Sequence, residues 1–114
     1  MVETGSIRVA NEVIASIAAM AAAEIDGVAG LDEAGARHFG DWLKRQTAHR
    51  GVRVMIDPER AIHLEIFLVV SSRALLADVA EKVQANVVEA VERMLNLEVK
   101  EVNVFVSSVA FSSL

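Results

Sequence analysis

Hydrophobic positions along the chain follow two periods, and each period predicts a different kind of element. From Val13 to Ile25 apolar residues recur at spacings of three and four, which predicts an amphipathic helix. Asn11 has the residue type of an N-cap, and Gly27 suits a left-handed C-cap. The first half of the chain therefore contains one helix that begins and ends with recognisable signals.

A second helical period runs from about Ser72 to Asn96, with Ser71 or Ser72 as candidate N-cap and Asn96 as the terminating residue. Its apolar face is formed by Leu76, Val79, Val83, Val87, Val91 and Met94. A shorter helix from Phe39 to Thr47 is predicted within the polar middle segment.

Alternating apolar and polar residues predict strands at Gly5–Val9, Gly51–Ile56 and Ala61–Val70, and a brief extended piece at Val28–Leu31. The sequence "DPER", Asp57 to Arg60, has the residue types of a type I turn, so the two central strands should form a hairpin. On the second of them the outward face begins with His63 and Glu65 and ends with Phe67 and Val69. One end of the outer sheet surface should therefore be covered.

The last strand, "VKEVNVFVSSVAF" from Val99 to Phe111, changes phase before it ends. Val102, Val104 and Val106 share one face, whereas an unbroken alternation would place Val109 on the other. A bulge at Ser107-Ser108 would restore the buried face. The pattern leaves open whether Phe105, Val109 and Phe111 cover their own sheet or a neighbour's.

The element order β-α-β-β-α-β, with the short middle helix, predicts an α+β two-layer sandwich. We expect a small mixed or antiparallel sheet of three or four strands with both long helices on one face. With 114 residues and no linker or repeat, the chain is expected to be a single domain, residues 1–114.

Composition narrows the function classes. The net charge of -5 argues against general affinity for nucleic acid or anionic lipid surfaces. The lack of cysteine excludes disulfides, thiolate nucleophiles and Cys-ligated zinc. The uncharged stretch Val13–Ala23 is too short to span a bilayer and follows an acidic start, so a cytoplasmic protein is expected.

The candidate ligand motifs are all incomplete. Gly30, Gly35 and Gly40 are spaced as in a phosphate loop but lack its lysine. "GVAG", Gly27 to Gly30, matches the GxxG loop of RNA-binding KH domains, yet acidic residues surround it and no helix obviously follows. No metal spacing connects the histidines, and His63 is expected to make a cross-strand polar contact. We therefore predict no catalytic, cofactor-binding or metal-binding residues.

The middle segment from Arg37 to Arg50 is locally basic around Trp42. Exposed Trp and Arg side chains are favoured at interfaces, so Trp42, Arg45 and Arg50 could contact an anion or a partner. The alternative is that Trp42 and Phe39 pin a connecting helix to the core.

The order of motifs resembles the alkaline shock protein family, also called the envelope stress response family, of mainly Gram-positive bacteria. The matching pieces are the opening "GSI", the Gly27-Val28 step, "GVRV" at Gly51, Val83-Gln84 and the closing "VNVFV". This chain has Ser71-Ser72-Arg73 and Ser108 where many relatives have Tyr-Gly and glycine. The resemblance implies a cytoplasmic, non-enzymatic protein of envelope homeostasis and stress response, acting through self-association and small membrane-anchoring partners.

Our first hypothesis is therefore a homo-oligomeric interaction module that also binds protein partners, with membrane association through one of them. Its candidate interface residues are Phe67, Val69, Phe105, Val109, Phe111, Trp42, Arg45 and Arg50. The alternative is a regulatory or accessory subunit that binds an enzyme or a small anionic ligand, and a third hypothesis is a KH-like RNA-binding domain.

Overall fold

The computed structural model describes residue 5, residues 8–34 and residues 48–111. Within these residues, two long helices pack on one face of a five-stranded mixed sheet. The helices are α1 Asn11–Ala23 and α2 Leu76–Leu95. The strands are β1 Val28–Leu31, β2 Ala48–His49, β3 Val52–Ile56, β4 Ile62–Ser71 and β5 Val99–Ala110. The predicted α+β two-layer fold is confirmed.

Strand β4 is the centre of the sheet. It pairs with β3 as the predicted antiparallel hairpin and with β5 in parallel, the two parallel strands being connected through α2. Its inward residues, Ile62, Leu64, Ile66, Leu68 and Val70, are all at most 1% exposed. They pack with Val79, Val83, Val87 and Val91 of α2 and with the alanine-rich face of α1. The alternation assigned to this strand is therefore correct throughout.

Two strands share one side of β4, end to end. The partners of β3 run from Ile62 to Ile66, and those of β1 run from Leu68 to Val70. At the junction, the Phe67 N–H donates to the Gly51 carbonyl at 2.9 Å, and the Phe67 carbonyl accepts from the Asp32 N–H at 2.8 Å. Gly51 has φ +82°, and a Cβ there would lie 2.8 Å from the Cβ of Leu31. Glycine is needed because the two chain segments meet at this point.

Several predicted boundaries were wrong. Helix α1 begins at Asn11, and the N-cap is Ala10, whose extended backbone places its carbonyl to accept from the Val13 and Ile14 N–H groups. The helix ends at Ala23, so Gly27 is not its C-cap. Gly27 lies in the following turn with φ +99°, where a Cβ would lie 2.7 Å from Cγ2 of Val79.

The start of α2 was also misplaced, since it begins at Leu76 with Leu75 as N-cap. Ser71, which was expected to cap the helix, is instead the last residue of β4. Its N–H donates to the Gly27 carbonyl at 2.7 Å. The predicted end is confirmed, with Asn96 in the left-handed conformation at φ 53°. Leu76 and Met94, predicted on the apolar face, are 46% and 60% exposed.

A strand was predicted at Gly5–Val9, but Arg8 and Val9 lie before α1 and do not pair with any described strand. Ser6 and Ile7 lie outside the described residues, as does the middle helix predicted from Phe39 to Thr47.

The predicted strand count was too low because β1 joins the sheet and Ala48–His49 forms a short strand against β3. The bulge predicted at Ser107-Ser108 is confirmed, since Val106 pairs with Leu68 and Ser108 with Val69.

Candidate functional site: the outer face and the β5 edge

The sheet face opposite the helices is divided into an ionic half and an aromatic half. Three cross-strand rows form it: Met55, His63 and Glu101; Arg53, Glu65 and Asn103; and Phe67 with Phe105. These residues face outward because they alternate with the buried positions of their strands. The sequence of β4 predicted this polar-to-apolar gradient, and the structure adds the partners from β3 and β5.

His63 lies between two carboxylates in the ionic half. Its Nδ1 is 2.8 Å from Oε1 of Glu101 on β5, and its Nε2 is 2.9 Å from Oδ2 of Asp57 in the β3–β4 turn. Both carboxylates favour the protonated ring, so the hydrogen bond to Asp57, followed by that to Glu101, raises the pKa of His63 above 6.5. The same contact with His63, together with the Ala61 N–H, lowers the pKa of Asp57 below 3.8. The cross-strand polar contact predicted for His63 is therefore present, with Glu101, and the turn residue Asp57 adds a second contact.

Asp57 also shapes the turn that follows β3. Its Oδ1 accepts the N–H groups of Glu59 at 2.9 Å and Ala61 at 3.0 Å, and its carbonyl accepts the Arg60 N–H at 2.9 Å. The predicted turn at Asp57–Arg60 is confirmed, with Arg60 in the left-handed region at φ 69°. His63 therefore holds both the turn and β5.

Arg53 and Glu65 form the second ionic contact of the outer face, with Nη1 of Arg53 2.6 Å from Oε1 of Glu65. The Arg53 side chain is 4% exposed and that of Glu65 is 18% exposed. A guanidinium buried to this degree requires a charged partner, because removing it from water is costly. The pair connects β3 to β4 directly beside the His63 contacts.

The aromatic half is mostly closed to solvent. Phe67 stacks on Phe105 with ring centroids 4.9 Å apart and planes inclined by 18°, and Phe67 is only 3% exposed. Val69 and Phe105 are half-buried. Phe67 was predicted as an interface residue, but its ring is already covered within a single chain. This agrees with the expectation that the apolar end of the outer sheet face is covered.

The bulge decides where the last apolar residues of β5 point. Val109 pairs with Val70 and packs against the core beneath the helices, whereas Phe111 is 82% exposed beyond the end of the strand. Val106 is 37% exposed. Of the three residues left open by the sequence, Phe105 and Val109 therefore contact their own chain.

β5 pairs with β4 on one side, and no described strand pairs with it on the other. Along this free edge the beginning and the end of the strand differ in how they are protected. Near the beginning, Nε2 of Gln84 on α2 donates to the Val102 carbonyl at 3.0 Å. From Val104 to Phe111 the sequence has no charged residue, and most of these side chains are exposed or half-buried. Native sheets usually protect an edge with charge, so this segment is a candidate pairing surface.

The remaining sequence-predicted residues do not join this surface in the described part of the chain. Arg50 is exposed in the turn between β2 and β3, with φ 54°. Trp42 and Arg45 lie outside the described residues. Gly27 lies in a turn and Gly30 lies within β1, so the "GVAG" motif leads into a paired strand instead of the helix that follows a KH loop.

Sequence comparisons connect the chain with a known protein family. Residues 2–111 match the alkaline shock protein 23 family, described as having a cell envelope-related function. Uncharacterized protein YloU of Bacillus subtilis is 33% identical over 107 residues, covering 92% of this chain and 88% of YloU. Uncharacterized protein YqhY of the same species is 28% identical over 109 residues, covering 96% of this chain and 80% of YqhY. No solved structure has a significant match to the chain.

The chain belongs to the alkaline shock protein 23 family, and with it to a family of cell envelope-related function. The resemblance inferred from the motif order is therefore confirmed over nearly the whole sequence. Within the described residues, neither α1 nor α2 is long and apolar enough to cross a bilayer.

Proposed function

We propose that this protein is a non-enzymatic interaction module of the bacterial envelope that self-associates through the exposed end of β5. Small membrane-anchoring partners would bind the same cytoplasmic assembly, a part of the proposal that comes from the family resemblance. The observation that carries self-association is the uncharged edge of β5 between Val104 and Ala110.

The charged groups of the outer face support a structural role over a catalytic one. His63 bridges β4, β5 and the Asp57 turn, and Arg53 is buried against Glu65. General acid or base chemistry requires a group that reaches a substrate, whereas these groups are used in holding strands together.

Pairing of two β5 edges would use backbone groups that point away from β4. A second copy related by a twofold axis would present the same segment, which makes the contact self-complementary. The exposed Val106 and Phe111 would be partly covered in such a contact. Bulges and lysines both oppose pairing at a sheet edge, and this segment has a bulge at Ser107-Ser108 but no lysine.

The test is the molar mass of the full chain by light scattering over a concentration series. Val106→Lys should raise the dissociation constant of self-association by at least about tenfold, because a charge at a paired strand edge is costly. Val13→Lys is the matched control, because Val13 is similarly exposed at 45% but lies on α1. A natural chain that stays monomeric, or equal effects of both lysines, would refute pairing through β5.

A further inference from the structure

One end of the sandwich contains an apolar groove that the proposed self-association does not use. It lies where the β3–β4 turn, the beginning of α1 and the end of α2 converge, and its volume is about 460 Å³. Small-molecule sites are typically about 300 to 1,000 Å³ and mainly apolar. Its lining residues are Arg8, Val9, Ile14, Ile56, Arg60, Ile62, Leu95 and Leu97.

The floor of the groove is aliphatic and belongs to the core. Ile14 and Ile62 are 0% and 1% exposed, and Ile56 at the rim is 49% exposed. The left-handed turn at Asn96 allows both Leu95 and Leu97 to line the same groove. No aromatic side chain is among the described lining residues, so the surface suits a flexible alkyl chain better than a flat ring.

Two arginines give the groove a charge preference. Arg8 and Arg60 are exposed and line the groove, and neither forms an ion pair within the part of the chain that the structure describes. The described lining contains no carboxylate to neutralise them. Guanidinium groups bind carboxylates with two parallel hydrogen bonds, so this end of an acidic protein favours an anionic ligand group.

The Asp57 turn places Arg60 beside the groove. The φ of Arg60, 69°, lies in the left-handed region, which glycine and asparagine adopt more easily. Asp57 fixes this turn by accepting the N–H groups of Glu59 and Ala61.

We propose that this groove binds a single-chain fatty acid, with the alkyl chain on Ile56, Leu95 and Leu97 above the buried floor, and the carboxylate on Arg8 and Arg60. The shape, the aliphatic lining and two arginines without an ion pair among the described residues all match an amphiphile with one anionic head group. The site lies at the opposite end of β4 from Phe111, so occupancy does not require self-association.

Titration calorimetry of the full chain with dodecanoate, below its micellar concentration, tests the proposal. We expect one saturable site and no comparable binding of dodecyltrimethylammonium, which has the same chain and the opposite charge. Arg8→Gln/Arg60→Gln should weaken dodecanoate binding by at least about tenfold, since charged hydrogen bonds are lost. Leu97→Gln should weaken it through the apolar part of the groove.

Arg73→Gln is the matched control, because Arg73 is exposed at the other end of β4 and should leave binding unchanged. Circular dichroism of each variant separates lost binding from lost folding. The proposal is overturned if dodecanoate does not saturate, if the cationic amphiphile binds equally, or if the double arginine variant binds as the natural chain does. It is also overturned if only an acidic amphipathic peptide of Glu and Leu binds with the same arginine dependence.

Discussion

The Nε2 atom of His63 lies 2.9 Å from Oδ2 of Asp57, so a strand residue holds the turn that precedes its own strand. The other ring nitrogen contacts Glu101, and a neutral imidazole carries only one N–H. Both contacts are therefore satisfied as hydrogen bonds only when His63 is protonated. This relationship makes the outer face of the sheet sensitive to pH.

We predict that the contribution of His63 to stability is lost as pH rises. Its pKa is raised above 6.5 in the fold, so the contribution is complete below 6.5 and disappears as pH passes the folded value. The pKa of Asp57 is lowered below 3.8, so its contribution is complete above 3.8 and disappears as pH falls through its folded value. Urea denaturation from pH 4 to 9 measures the free energy of unfolding. The natural chain should be more stable than His63→Gln by the largest margin between pH 4 and pH 6.5.

His49→Gln is the control for this series, because Nε2 of His49 is 4.0 Å from Oε1 of Glu12 and forms a weaker contact. A stability difference between the natural chain and His63→Gln that stays constant over the whole pH range would contradict the prediction.

Replacing Gly51 should destabilise the junction of β1 and β3. Gly51→Ala introduces a Cβ at 2.8 Å from Leu31 Cβ and 3.2 Å from Asp32 N, at φ +82°. We expect the free energy of unfolding to fall by more than about 1 kcal/mol, measured by denaturant titration. Gly30→Ala is the control, since a Cβ there meets no atom within 4 Å. Equal losses in both variants would show that the close approach is unimportant.

Removing the Gln84 side chain should weaken the attachment of α2 to β5. Gln84→Ala loses the 3.0 Å hydrogen bond to the Val102 carbonyl and should cost about 1 kcal/mol of unfolding free energy. Gln84→Glu keeps the shape but replaces the donor with a carboxylate facing a carbonyl, so it should cost more. Glu81→Ala, on the exposed side of the same helix, is the comparison. If Gln84→Glu is as stable as the natural chain, the amide does not act as a donor here.

The buried Arg53–Glu65 pair should be strongly coupled. Arg53→Met leaves the Glu65 carboxylate, 18% exposed, without its partner, and we expect a loss of about 3 kcal/mol. Arg53→Met/Glu65→Leu replaces both charges with apolar side chains and should recover part of that loss. Chemical denaturation of the single and double variants gives the coupling energy. Additive effects would indicate that the two side chains are independent.

Local sequence patterns predicted the elements of this fold well. The alternation from Ile62 to Val70, the turn at Asp57 and the bulge before Ser108 are each determined by neighbouring residues. Helix starts were predicted less accurately, because Ser71 has a capping residue type but is taken by pairing with Gly27. The start of α2 was therefore misplaced because a tertiary hydrogen bond competes with a local one.

The site was predicted less completely than the fold. The sequence of β4 indicated a polar end and a dry end, but Glu101 lies 38 residues from His63 and no local signal connects them. The groove is formed by Arg8, Arg60 and Leu97, which belong to three separate segments. Phe67 is covered by the ring of Phe105 on β5, and no local signal in β4 connects the two residues.

By itself, the sequence determined the periodicities, the α+β class and the family, since these depend on residue order over short spans and on motif order over the whole chain. Only the tertiary structure decided the parallel pairing of β4 with β5, the junction at Gly51 and the partners of His63. The physical reason is that the period of a strand specifies which side of it is buried. Which strand lies beside it, and in what register, is decided by the packing of α1 and α2 on the common core.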